Sequence, residues 1–224
     1  MKGRLLTDKP ELPCTHQTSM LAFAKDMPNV CSLVGLLCAV LSMYFSILGN
    51  FPAAIIGMLW AVFFDWGDGI VARKMKNRTD KQRAFGGQLD SLIDIISFGI
   101  CPAVLLLSYG EFGLWFIPGA FIIVAASAIR LSYFNIFGLI DDSTYMGLAI
   151  DNNVLILAIV FLLDGIISQF ALSIVLYLTL MILAGFNLST IRTPKFGGRW
   201  FYILTAYVFG LTIIYGWIMW HRGN

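Results

Sequence analysis

Long apolar runs dominate the chain. They fall at 30–48, 52–73, 91–109, 113–136, 148–165, 167–188 and 200–220. Each is close to, or slightly below, the ~20 residues a helix needs to cross a bilayer core. Short connectors containing glycine or proline part several of them: Gly49 to Pro52, Tyr109 to Gly113, and Gly165 with Ile166. Lipid offers no partner to open backbone groups, so these runs are predicted as helices. The ~10-residue alternating segments of a β-barrel are missing, and no internal repeat is evident. The pattern predicts an all-α, polytopic membrane helix bundle with seven spans. Residues 1–26 are polar and lack a short apolar core with a small-residue cleavage site, so no cleaved signal peptide is expected. The stretch from His16 to Asp26 is a candidate for a short interfacial helix.

Composition agrees with the pattern. Of 224 residues, 58% are hydrophobic and only 12% charged, against roughly 25% charged in an ordinary soluble domain. The mean hydropathy is +0.81. These values exclude a disordered chain, a basic nucleic-acid-binding domain and a disulfide-stapled secreted module. Cys31, Cys38 and Cys101 fall in or beside spans and Cys14 in the tail, with no metal-ligand spacing, which predicts apolar fillers and a free thiol. His16 and His221 lie outside the spans, so no histidine-based site is expected.

Charge placement orients the spans. Lys2, Arg4, Lys9 and Lys25 precede the first run. Arg73, Lys74, Lys76, Arg78, Lys81 and Arg83 follow the second, and Arg192, Lys195 and Arg199 precede the last. The alternate connectors, near 49–51, 110–112 and 166, hold no Lys or Arg. Such alternation puts the basic set, and the amino terminus, on the cytoplasmic side. Residues 1–26 then form a cytoplasmic amino-terminal segment and 27–224 one transmembrane domain. The tryptophans, among them Trp60, Trp66, Trp115, Trp200, Trp217 and Trp220, are expected mostly at lipid or the membrane interface.

Two runs carry charge where apolar residues are expected. The second ends with Asp65 and Asp68, and the third opens with Asp90 and Asp94. Spacings of i,i+3 and i,i+4 put each pair on one helix face, and the short basic connector makes the helices an antiparallel hairpin. Four carboxylates then converge. Their repulsion is relieved either by protonation or by a divalent cation, and an all-oxygen cage suits Mg²⁺, Mn²⁺ or Ca²⁺ better than Zn²⁺. Gly67, Gly69, Gly86 and Gly87 clear space for a phosphate-bearing ligand, and Arg73 is placed to hold a phosphate oxygen. A purely structural polar cluster is the plainer alternative.

The sequence Asp65-x2-Asp68-Gly69-x2-Ala72-Arg73, followed by Gly86-x3-Asp90-x3-Asp94, resembles the signature of the CDP-alcohol phosphotransferases. Pro28-Asn29-x-x-Ser32 resembles the opening of that family's first core span. Leu89 to Asp94, Ser97-Phe98-Gly99, Arg130-Leu131-x-x-Phe134-Asn135 and Ile191-Arg192-x-Pro194 resemble its phosphatidylserine synthase branch. The resemblance implies a six-span core, here with a seventh span, and a homodimer whose site opens to the cytoplasm. It implies transfer of a phosphatidyl group from CDP-diacylglycerol to L-serine with release of CMP, in phospholipid biosynthesis. Asp65, Asp68, Asp90 and Asp94 would hold divalent metal, Mg²⁺ or Mn²⁺, as two ions. Asp94 would also be the general base. Asn29, Ser32, Gly69, Ala72, Arg73 and Gly86 would line the CDP group.

Arg130, inside the fourth run, suits an anionic acceptor group or the donor phosphate. Asp151 is placed for an amine or a hydroxyl, or as a helix cap. Twelve residues separate Arg73 from Gly86, more than the family's usual spacing, which predicts a longer loop. Gly147-Leu148-Ala149 stands where the serine-using branch tends to show Gly-Leu-Pro, and bears on the acceptor. Other acceptors (inositol phosphate, glycerol phosphate, an amino alcohol) use the same chemistry, as does CDP-choline or CDP-ethanolamine with diacylglycerol. A cation-coupled transporter is a reading from another class, which the grouping of the acids at one membrane face disfavours.

Overall fold

A computed structural model describes residues 19–138, 141, 144–194 and 199–223. Cys14, His16, Lys195 and the first eighteen residues lie outside the described residues. A short helix α1 (Met20–Ala24) precedes α2 (Met27–Ile47) and α3 (Phe51–Lys74). The third span combines α4 (Asp80–Asp94), a π-helical segment (Ile95–Ile100) and α5 (Cys101–Tyr109). Then follow α6 (Ile117–Phe137), α7 (Asp151–Val160), α8 (Gln169–Asn187) and α9 (Arg199–Gly223). Six of the seven spans are helices long and apolar enough to cross a membrane. The chain is a multi-pass helical membrane protein.

The fifth apolar run is helical but short, from Asp151 to Leu163. Thirteen residues reach only ~20 Å at 1.5 Å each. They still join the two ends of the bundle. Asp151 lies in the cavity that Asp94 lines, while Asp164 accepts from the Tyr109 hydroxyl at 2.7 Å at the far end of the third span. The predicted start of the third span is corrected from 91 to Asp80. Thr79 and Gln82 form a reciprocal capping box, so the helix begins in polar residues that a search for apolar runs passes over. Gly86 and Gly87 therefore sit inside a helix.

Close packing of α2 on α3 rests on small residues, as in many membrane helix pairs. A Cβ at Gly57 would come 2.9 Å from both the Cys38 carbonyl oxygen and the Ser42 Cβ. The π-helical segment has a local cause. Pro102 has no N–H and its ring crowds the carbonyl four residues back, that of Phe98. The chain widens there, with Cys101 N–H bonding five residues back to Ile96. The Phe98 carbonyl instead accepts from the buried Asn153 Nδ2 at 3.2 Å, and Asn153 Oδ1 accepts from Asn187 Nδ2 at 3.2 Å. This chain of bonds ties the third, fifth and sixth spans together just beneath Asp94.

Helix α9 lies against α3 and is stitched to α7. The Tyr207 and Tyr215 hydroxyls donate to the carbonyls of Leu155 and Ala158, and Arg222 pairs with Asp164 at 2.7 Å. The loops carry a small departure from the all-α prediction. Strands β1 (Thr144–Met146) and β2 (Arg192–Pro194) pair antiparallel, Tyr145 opposite Thr193.

Candidate active site

The acids are recessed. Asp65 lies nine residues before the end of α3 and Asp90 ten residues after the start of α4, so both sit ~14 Å inside their helix ends. One carboxylate oxygen each of Asp65, Asp68 and Asp90 lie within 4.8 Å of one another. Asp94 sits one turn deeper, within hydrogen-bond reach of Asp65. Its Oδ1 is buried without a hydrogen-bond partner among the described residues. An all-oxygen donor set this close, with a buried oxygen left open, fits a hard divalent cation. The Asp cluster can hold a metal ion. The Ser32 hydroxyl donates to Asp68 Oδ2 and fixes that carboxylate from α2.

A cavity of about 360 Å³ opens onto the cluster. Asp65, Asp68, Gly69, Arg73, Asp90, Asp94, Arg130 and Asp151 all line it. The Arg73 guanidinium folds back over Gly69, where a Cβ would lie 3.5 Å from Nη1. Asn29, Ser32, Ala72 and Gly86 are not on the wall. Asn29 and Gly86 meet each other instead, a Cβ at Gly86 lying 2.9 Å from Asn29 Oδ1. Asn29 Nδ2 is given to the Phe23 carbonyl at 2.8 Å.

Opposite the acids stands Arg130, only 8% exposed. Its guanidinium lies over the rings of Phe134 and Tyr145, 5.3 and 5.4 Å from their centroids. Its Nε and Nη2 have no hydrogen-bond partner among the described residues. Burial pushes the Tyr145 phenol above its ordinary value, with the Asp151 charge adding to the effect. Tyr145 therefore stays neutral beside the cation.

Asp151 opens α7, yet its side chain is not the cap; that position is Ile150. Its Oδ2 accepts from Trp66 Nε1 at 2.8 Å, and its Oδ1 from Asn152 N and Nδ2 at 3.0 and 3.1 Å. Trp66 is thus removed from the lipid-facing set, as is Trp60, which packs on Phe63 and Phe209. Trp115, Trp200, Trp217 and Trp220 are exposed as expected. Sequence reasoning missed the Trp66–Asp151 bond, which joins residues 85 apart. It missed Tyr145 too, because the β1–β2 pairing that delivers it has no hydrophobic signature.

A membrane-embedded helical bundle with a carboxylate cluster at one end that could hold a metal ion, facing a buried arginine, defines the class of protein. Residues 25–222 match the family of CDP-alcohol phosphatidyltransferases, and the chain belongs to that family. It is 42% identical to the archaetidylserine synthase of Methanothermobacter thermautotrophicus over 111 residues, 49% of this chain and 47% of that protein. It is 31% identical to the CDP-diacylglycerol–serine O-phosphatidyltransferase of Methanocaldococcus jannaschii over 154 residues, 69% and 70% of the two chains. The Helicobacter pylori (strain 26695) protein of the same name is 25% identical, with 86% of this chain and 90% of that one covered. The match spans about half the length of the archaetidylserine synthase.

Proposed function

We propose that the protein is a CDP-diacylglycerol–serine O-phosphatidyltransferase that moves a phosphatidyl group to L-serine and releases CMP in phospholipid biosynthesis. The observation that carries this reading is the pairing of two opposite features in one cavity: a carboxylate cluster built for divalent cations and a buried arginine with open donors. The names of the relatives support CDP-diacylglycerol and serine as the two substrates. A bulky phosphorylated acceptor would call for several cations, and among the described residues Arg130 is the only Arg or Lys that shares the cavity with Arg73.

Asp65, Asp68, Asp90 and Asp94 would hold the metal, read as two Mg²⁺ or Mn²⁺ ions, whose charge would offset that of the diphosphate. Asn29, Ser32, Gly69, Ala72, Arg73 and Gly86 serve the CDP group, with the Arg73 guanidinium turned toward phosphate oxygens. Arg130 holds the serine carboxylate and Asp151 its ammonium. That arrangement leaves the hydroxyl facing Asp94, whose open Oδ1 accepts the proton. The serine oxygen bonds to the β-phosphorus as the bond from that phosphorus to the CMP oxygen breaks, and the electron pair leaves on CMP. The recessed site reaches a lipid donor from the bilayer and a polar acceptor from water. The basic connectors support a cytoplasmic opening and amino terminus. The functional unit is read as a homodimer.

CMP release by purified protein in detergent tests this directly. With CDP-diacylglycerol and Mg²⁺ or Mn²⁺, serine should support release and inositol phosphate or glycerol phosphate should not. Release with a different acceptor would keep the chemistry and overturn serine.

A further inference from the structure

The basic connector between α3 and α4 reads as a solvated loop, but one of its cations turns inward. Arg78 Nε pairs with Asp26 Oδ2 at 2.6 Å, and the two side chains are only 8% and 6% exposed. Nη2 donates to the Gln82 carbonyl at 3.2 Å. The same Nη2 lies against Gly86, 2.6 Å from where a Cβ would stand. Asp26 holds the N-cap position of α2, yet its side chain makes no cap bond. Its carboxylate goes to Arg78 instead. Around the pair, Asn29 bonds the Phe23 carbonyl and the Phe23 ring packs on Phe85 with centroids 5.3 Å apart. One turn further along α2, Ser32 bonds Asp68. The ion pair, the Asn29–Gly86 contact and the Ser32–Asp68 bond therefore follow one seam, between α2 and its two neighbours, into the acidic cluster.

A buried ion pair contributes little net stability but fixes geometry, and removing one partner leaves a charge uncompensated. Its neighbours Lys74, Lys76, Lys81 and Arg83 are exposed, so burial of Arg78 is specific to this position. We propose that the Asp26–Arg78 pair is a positioning clamp for the nucleotide half of the site. It holds the start of α2, with Asn29, against Gly86 of α4 and so fixes the α2–α4 seam on the nucleotide side of the carboxylate cluster. The inference rests on the reading above that Asn29 and Gly86 serve the CDP group. The acceptor side, Arg130 and Asp151, is carried by α6 and α7, which the pair does not touch. Its loss should therefore act on one substrate only.

The test uses the full chain in detergent, with CMP as the binding probe and CMP release as the turnover readout. Arg78→Ala and Asp26→Ala should each raise the CMP Kd and the KM for CDP-diacylglycerol about tenfold, as small misplacements of a binding group do. The KM for serine should stay at the wild-type value, and Arg78→Lys should recover most of the CMP affinity. If either alanine variant fails to fold, the double variant Arg78→Gln with Asp26→Asn, which leaves no lone buried charge, reads the same split. Wild-type CMP affinity in a folded variant overturns the clamp, and so does an equal rise in both KM values. Failure of the phosphotransfer reading is seen separately, as an unaltered chain that neither binds CMP nor releases it with any acceptor; the clamp then falls with it.

Discussion

Replacing Arg130 by methionine sets stability against function. The guanidinium is buried, with Nε and Nη2 unpartnered among the described residues. Burying polar atoms with hydrogen bonds unmade costs roughly 1–3 kcal/mol, more for charged groups. Against this stand the contacts to Phe134 and Tyr145, worth roughly 0.5–2 kcal/mol each. Asp151 and Asp94 also face the guanidinium, and taking away one charge leaves theirs less compensated, so Arg130→Met should lower the unfolding midpoint only modestly. Function should move much further. Hydrogen bonds to a charged partner are worth about 1.5–3 kcal/mol, which is roughly 10–150-fold in affinity. The KM for serine should rise by that factor, while the KM for CDP-diacylglycerol stays put. Thermal unfolding in detergent and CMP release against serine concentration read the two effects. A folded variant with a much lower midpoint and an unchanged serine KM would refute the reasoning and make Arg130 a structural group.

Asp94→Asn should cut turnover by about 10²–10⁴, the usual contribution of a general base, while CMP still binds; normal turnover would remove Asp94 from that role. Ser32→Ala frees the Asp68 carboxylate and should weaken metal activation roughly 10–100-fold, seen as a rightward shift of the Mg²⁺ or Mn²⁺ activation curve. Trp66→Phe deletes the 2.8 Å bond to Asp151; one hydrogen bond is worth ~1 kcal/mol, so the serine KM should rise about fivefold with kcat retained. Gly57→Val forces a side chain into the α2–α3 contact, where a Cβ already meets atoms at 2.9 Å. Overpacking of this kind costs roughly 1–3 kcal/mol and should lower the unfolding midpoint, with no selective effect on either substrate.

The spans were legible because lipid imposes one length and one backbone solution, so all seven apolar runs turned out helical. The acidic set was legible for a related reason. Four carboxylates in apolar runs are costly, and the spacings of Asp65 with Asp68 and Asp90 with Asp94 fit a helix face. The third span begins at Asp80 behind a local capping box, in polar residues that the apolar pattern passes over. The rest of what escaped the sequence depends on contacts between distant residues. The π-helical turn follows from Pro102 but needs Asn153, 55 residues from Phe98, to take the freed carbonyl. Trp66 looks like any membrane tryptophan until α7 brings Asp151 to it. Arg78 looks like its exposed neighbours until α2 supplies Asp26.

The central claim is that this chain joins the phosphatidyl group to serine. The direct measurement follows labelled serine into lipid while CMP is counted in the same reaction, with purified protein, CDP-diacylglycerol and Mg²⁺ or Mn²⁺. One serine should enter lipid for each CMP released, with both lost on chelation of the metal and in Asp94→Asn. CMP released without serine entering lipid would contradict serine transfer, as would transfer without metal.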